Sequence, residues 1–238
     1  MNKLVNYILF PFREGGLGAL LGGTFIIFLG EFLQKLGGFI GPYGSIPGLI
    51  IKIGALCLCF NYSLQIVRSS YSGSKTLPFW ETPSLHFGEL LKNLIPILIS
   101  IFYGLFLTSL VYFIVVIVSN KNLSLILFFT HLPRYGFFVF FSIFLPAVYF
   151  LFSVAPDDIE YFVNPVWITR VIIKTFPCYL FLTIAAYFLT LLFVYFRIPL
   201  IFIGNFITWF VKFYFLILFA FIVGRTYSKL NLSKQAQR

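Results

Sequence analysis

The sequence predicts an all-α fold: a polytopic transmembrane helical bundle of about six spans, with short interfacial amphipathic helices and both termini cytoplasmic. Three observations carry this. Of 238 residues, 60% are hydrophobic and 10% charged, whereas roughly a quarter of a soluble domain is charged. The mean hydropathy is +0.99, and the apolar residues fall into six runs long enough for the roughly 20 helical residues that cross ~30 Å of hydrocarbon. The lysines and arginines gather between alternate runs, as cytoplasmic segments do. No polar stretch is long enough to bury a core of its own, so residues 1–238 read as a single integral-membrane domain. Within it, 1–15 is an interfacial segment and 225–238 a basic cytoplasmic tail.

The opening MNKLVNYILFPFREGG has the positive charge and apolar run of a signal peptide. Pro11 and Arg13 break the run, however, and no small-x-small cleavage site follows, so it reads as retained. Val5, Ile8, Leu9 and Phe12 follow the i, i+3, i+4, i+7 spacing of an amphipathic surface helix. The spans are predicted near residues 16–36, 48–67, 94–118, 136–154, 178–196 and 200–224, the last two joined by Arg197-Ile198-Pro199. In the first, Gly18 and Gly22 have the small-xxx-small spacing that lets helices approach closely, inside the chain or with another protein. The run Leu123 to Thr130 is too short to cross and is expected to dip into the interface.

Two cytoplasmic connections repeat one design. In the first, Thr82-Pro83 is a cap followed by a first-turn proline; Phe87, Leu90, Leu91 and Leu94 then form a stripe, with Trp80 before it at headgroup depth. In the second, Asn164-Pro165 is the cap and first turn. Val166, Trp167, Val171, Ile172 and Ile173 are apolar, while Arg170 and Lys174 lie one turn apart, so Trp167, Arg170 and Lys174 are expected as interfacial anchors. Pro96 and Pro177 turn each connection into the next span.

Orientation follows from charge. Lys3, Arg13, Arg68, Lys75, Lys92, Arg170, Lys174, Arg225, Lys229, Lys234 and Arg238 fall on one side, which makes eleven; Lys35, Lys121, Arg134 and Arg197 make four on the other. The net charge of +10 is thus spread between spans rather than drawn into the stripe a nucleic-acid binder needs. Expected partners are membrane lipids, anionic at the cytoplasmic face, and other membrane subunits, with no nucleic acid. Phe106–Phe113 is similar to Phe188–Phe196, and Ile66–Ser72 to Ile222–Ser228. Either a same-orientation repeat or a Phe-rich composition produces such matches.

Asp157, Asp158 and Glu160 are three of seven acidic residues, and clustered carboxylates can hold a metal. They also precede a helix start, where carboxylates are favoured by about 0.3–1 kcal/mol each. The other acids supply no ligand-like pair, and His86 and His131 fall on opposite sides of the membrane. Cys57 and Cys59 point away from each other on one helix, and no Gly-rich loop precedes a Lys-Ser or Lys-Thr pair. No enzyme, metal or cofactor is therefore expected. Charges at membrane depth are costly and face protein or water. Glu31 and Lys52 are expected to pair across GGFIGPYGSIPG, and Lys212 lies well inside the last span, either snorkelling or lining a polar cavity.

A Gly-rich first helix, a second ending in Arg68, a Pro-x-Trp connection, the run Glu160-Tyr161-Phe162-Val163-Asn164-Pro165 and a terminal helix from Phe213-Tyr214 to Gly224-Arg225 together resemble a family of bacterial multi-pass inner-membrane proteins of unassigned activity. That family is distantly similar to the membrane domain of some glycerophosphodiester phosphodiesterases. The resemblance covers most of the chain and implies an all-helical inner-membrane bundle. The phosphodiesterase catalytic domain has no counterpart here, so its activity is not implied. Two functions are expected: a non-catalytic scaffold or accessory subunit of an envelope complex, or a small transporter or lipid-handling permease component whose cavity involves Lys52, Glu31 and Lys212.

Overall fold

The structure, a computed structural model, describes residues 8–12, 15–41, 43–74, 76–78, 80, 87–119, 132–199 and 203–228. Its helices are α1 (Gly16–Ile40), α2 (Ile46–Tyr71), α3 (Phe87–Lys92), α4 (Ile95–Ser119), α5 (Leu132–Val154), α6 (Ile159–Val163), α7 (Pro165–Thr175), α8 (Cys178–Tyr195) and α9 (Ile203–Ser228). Six of them, α1, α2, α4, α5, α8 and α9, are long and apolar enough to cross a membrane, and they coincide with the six runs read from the sequence. Thr82-Pro83, His86, Leu123 to Thr130, His131, Val5 and the tail beyond Ser228 lie outside the described residues.

The helices cluster into two compact units, Met1–Leu94 with Leu191–Arg238 and Ile95–Thr190. In water, a change of composition marks such a division. In hydrocarbon both units are apolar throughout, so composition carries no mark of it.

In the first unit α1 lies against α2 and α9, and α2 against α9. The approach is set by Gly16, Gly23, Gly30 and Gly37, spaced seven apart and all buried. A repeat of seven keeps one face of a slightly underwound helix against its neighbours. A Cβ on Gly30 would stand 2.6 Å from the Lys52 amide nitrogen, and one on Gly23 would stand 2.5 Å from the Phe213 ring; one on Gly37 would collide with the Gly44 carbonyl. Around Gly18 and Gly22 nothing lies within 4 Å of an added Cβ. The close contacts within the chain thus fall on a different glycine row from the one the i, i+4 spacing suggests.

Gly224 of α9 meets α2 in the same way, its Cβ position 2.5 Å from the Val67 carbonyl oxygen. The similar segments Ile66–Ser72 and Ile222–Ser228 therefore touch, with α2 and α9 running in the same direction. Near the N-terminus Phe10 is buried, its ring stacked on Phe221 at 3.7 Å, while Ile8, Leu9 and Phe12 of the expected surface stripe are exposed.

In the second unit α4 and α5 pack antiparallel, Gly104 opposite Phe141 and Gly136 opposite Thr108. Tyr103 stacks on Phe144 at 4.9 Å and donates to the Val163 carbonyl oxygen at 2.5 Å, tying α4 to the end of α6. The Tyr179 hydroxyl donates to the Ile143 carbonyl oxygen. A hydroxyl in hydrocarbon must find an acceptor within the protein. Ser100, Thr108 and Ser142 donate to carbonyl oxygens four residues earlier, at 2.6–2.7 Å.

Candidate functional site

The first unit brings Glu31, Lys52 and Lys212 together. Gly30 starts the arrangement, because its missing side chain lets the α2 backbone reach α1 at Lys52. The next residue, Glu31, thereby comes within 3.8 Å of the Lys52 ammonium, as the sequence predicts. One turn further along α1, Lys35 meets the other Glu31 oxygen at 3.0 Å, the i, i+4 geometry of a helical ion pair.

The element that gathers the group is Trp209. Its indole N–H donates to Glu31 Oε2 at 2.5 Å. The Lys52 ammonium lies 5.5 Å and the Lys212 ammonium 4.9 Å from its ring centroid, both within cation–π reach. Lys212 is 4% exposed. Its ammonium donates to the Phe193 carbonyl oxygen at 2.9 Å. That carbonyl lies in the last turn of α8, where helix carbonyls lack internal partners and a cation is favoured. Lys212 is therefore held inside the protein and does not snorkel.

The short connection from α8 to α9 completes the site. The Ile198 amide donates to the Thr208 hydroxyl at 3.0 Å, and Thr208 donates to the Gly204 carbonyl oxygen at 2.7 Å. This fixes Arg197 and Pro199 beside the start of α9. Between them and α1 opens a cavity of about 850 Å³, lined by Phe28, Glu31, Phe32, Lys35, Leu36, Phe39, Arg197, Pro199 and Asn205. The walls are largely aromatic and aliphatic, with the charged groups set among them. Among the described residues Arg197 has no carboxylate within ion-pair distance. Lys35 and Lys52 pair with Glu31, Lys212 shares the Trp209 ring with Lys52, and Lys35 and Arg197 line the cavity together with Glu31, so basic side chains outnumber the one carboxylate of this group.

Trp209 and Arg197 are the residues sequence reasoning missed as site members. Trp209 lies three residues before Lys212, on the same helical face, and that spacing was the available signal. Arg197 served only to count charge between spans.

The interfacial anchors separate. Trp80 packs within the first unit: it stacks on Tyr62 at 5.1 Å and lies 6.1 Å from Phe213. Its six-membered ring edge fills the space left by Gly23. In the second unit α7 forms as the sequence predicts, with Asn164 Oδ1 accepting the Val166 amide at 2.9 Å. Ile168, Val171 and Thr175 face inward, and Arg170 and Lys174 are exposed. The Arg170 guanidinium lies 4.6 Å from the Trp167 ring centroid.

Asp157, Asp158 and Glu160 are all exposed, Asp158 at the N-cap of α6 and Glu160 in its first turn. Among the described residues no three His, Cys, Asp or Glu side chains are grouped to hold a metal ion. Cys57 and Cys59 are buried and Cys178 is exposed, all three as free thiols.

No protein-family model, curated protein or solved structure matches this chain.

Proposed function

We propose that this multi-pass membrane protein is non-catalytic and handles lipid or a similar amphiphile, as a small transporter or permease component, through the cavity of its first unit. One observation carries the reading: Glu31, Lys52 and Lys212, far apart in sequence, meet around Trp209 beside a largely apolar cavity of about 850 Å³. Buried charge is costly to keep in a span and marks substrate or ligand pathways more often than simple scaffolding. A cavity with apolar walls and a few convergent polar groups is the usual form of a small-molecule site.

The charge distribution supports a bacterial inner-membrane setting with both termini in the cytoplasm. In that orientation the end of α1 and the start of α9 face the outer leaflet, so the cavity opens there. The resemblance to bacterial multi-pass inner-membrane proteins is compatible with this setting. The scaffold reading rests on composition and on the exposed apolar surface of the spans.

The test is native mass spectrometry of the full chain extracted in mild detergent. A lipid-handling protein leaves the membrane with lipid bound at a fixed stoichiometry. A chain that emerges free of lipid but bound to another membrane protein contradicts the reading and restores the scaffold.

A further inference from the structure

The cavity's chemistry says which amphiphile it takes. The inference rests on the lipid-handling reading and adds the identity of the headgroup. We propose that the cavity seats a lipid with an anionic phosphate headgroup, held by Lys35 and Arg197, while its chain lies along Phe28, Phe32, Leu36 and Phe39.

Charge comes first. Lys35 and Arg197 line the cavity with the single carboxylate of Glu31, and Glu31 is already engaged by Lys35 at 3.0 Å, by Lys52 at 3.8 Å and by the Trp209 indole at 2.5 Å. With Lys52 also paired to Glu31, the basic side chains outnumber the one carboxylate at the edge of a low-dielectric medium, where attraction to an anion is strong. A phosphate headgroup with net negative charge reduces the excess, whereas a zwitterionic one, which brings its own ammonium, does not. Arg197 has no ion-pair partner among the described residues. Its planar fork suits two phosphate oxygens at once. Lys35 is 57% exposed, so its ammonium can exchange between Glu31 and an incoming anion without unpacking the helix.

Shape and position point to a lipid as the source of that phosphate. The residues that line the cavity from Phe28 to Phe39 belong to α1, a span-length helix, and Asn205 to α9, another. Phe39 and Leu36 are exposed, and a chain laid against them replaces one apolar neighbour by another. A free phosphate ion leaves these walls uncovered.

The experiment titrates the full chain in detergent with phosphatidylglycerol, phosphatidylcholine or inorganic phosphate and reads retained adducts by native mass spectrometry. The wild-type chain is expected to keep phosphatidylglycerol at least tenfold more strongly than phosphatidylcholine. In the double variant Lys35→Gln/Arg197→Gln the preference falls to about unity, and Glu31→Gln raises phosphatidylglycerol retention. Arg170→Gln/Lys174→Gln, which removes exposed cations of the other unit, leaves the preference unchanged. Thermal melts confirm that each variant is folded; Lys35 and Arg197 are both exposed and hold no helix contact in place.

Equal retention of the two lipids overturns the headgroup assignment while leaving lipid handling intact. So does a preference that survives Lys35→Gln/Arg197→Gln, or one that Arg170→Gln/Lys174→Gln abolishes equally. Inorganic phosphate that binds where phosphatidylglycerol does not replaces the lipid by a free anion and overturns the proposal. Retention of neither lipid overturns the lipid-handling reading and the headgroup with it.

Discussion

Trp209 gives its indole N–H to Glu31 at 2.5 Å although 178 residues separate them in the chain. The bond joins α1 to α9 at a carboxylate whose side chain is only 17% exposed. Lys52 and Lys212 close on the same indole, so one aromatic side chain serves as donor to the anion and as π face to two cations.

Replacing Trp209 by Phe keeps a ring and removes the donor. Hydrogen bonds inside membranes average about 0.6 kcal/mol and reach about 1.7, and an acceptor that is charged raises the value. Because Glu31 retains Lys35, Trp209→Phe is expected to destabilise the first unit by about 1 kcal/mol. Trp209→Ala, which also loses the cation–π contacts, should cost about 2 kcal/mol. Reversible unfolding in mixed micelles measures both; equal stability of Trp209→Ala and wild type would remove the indole from its linking role.

Gly30→Leu is expected to destabilise the α1–α2 crossing by at least about 2 kcal/mol, because the new side chain meets the Lys52 backbone and overpacking costs about 1–3 kcal/mol. Gly18→Leu, which points into open space, should change the melting point little. A larger loss at Gly18 than at Gly30, read by thermal melting in detergent, would mean that the wrong glycine row has been assigned to the interhelix contact.

Asn164→Ala removes the cap of α7 at a cost of about 1 kcal/mol. Because the cap acts locally, amide hydrogen exchange should accelerate across Pro165–Thr175 while α1, α2 and α9 keep their protection. Uniform acceleration throughout the chain would argue against a local cap.

Thiol labelling gives a test of burial. Cys178 is exposed at the start of α8 and should react with maleimide in the folded protein, whereas Cys57 and Cys59 should react only after denaturation. Rapid labelling of Cys59 would be incompatible with its position behind Gly23, where it stands 3.1 Å from the added Cβ.

The six spans were legible because runs of apolar residues reflect the solvent directly. Asn164-Pro165 was legible too, since a cap depends on neighbours in sequence. Glu31 with Lys52 could be paired because a short turn joins their helices. What stayed hidden depends on partners distant in the chain. The row Gly16, Gly23, Gly30 and Gly37 has a visible period, but Gly18 and Gly22 fit a more familiar spacing, and only the neighbouring helices decide which row is used. The packing of Trp80 on Tyr62 and in the space left by Gly23 is likewise set by distant partners. Arg197 is an ordinary loop charge until Thr208 fixes the connection beside α1.

The most direct measurement is photocrosslinking in native membranes from a benzoylphenylalanine placed at Phe32, inside the cavity, compared with one at Phe188, an exposed position on α8. A cavity that seats an anionic lipid gives a phosphatidylglycerol adduct at position 32 that disappears in Lys35→Gln/Arg197→Gln, while the adducts at position 188 follow bulk lipid composition in both backgrounds. Adducts at position 32 that mirror bulk lipid and ignore the double substitution would contradict it.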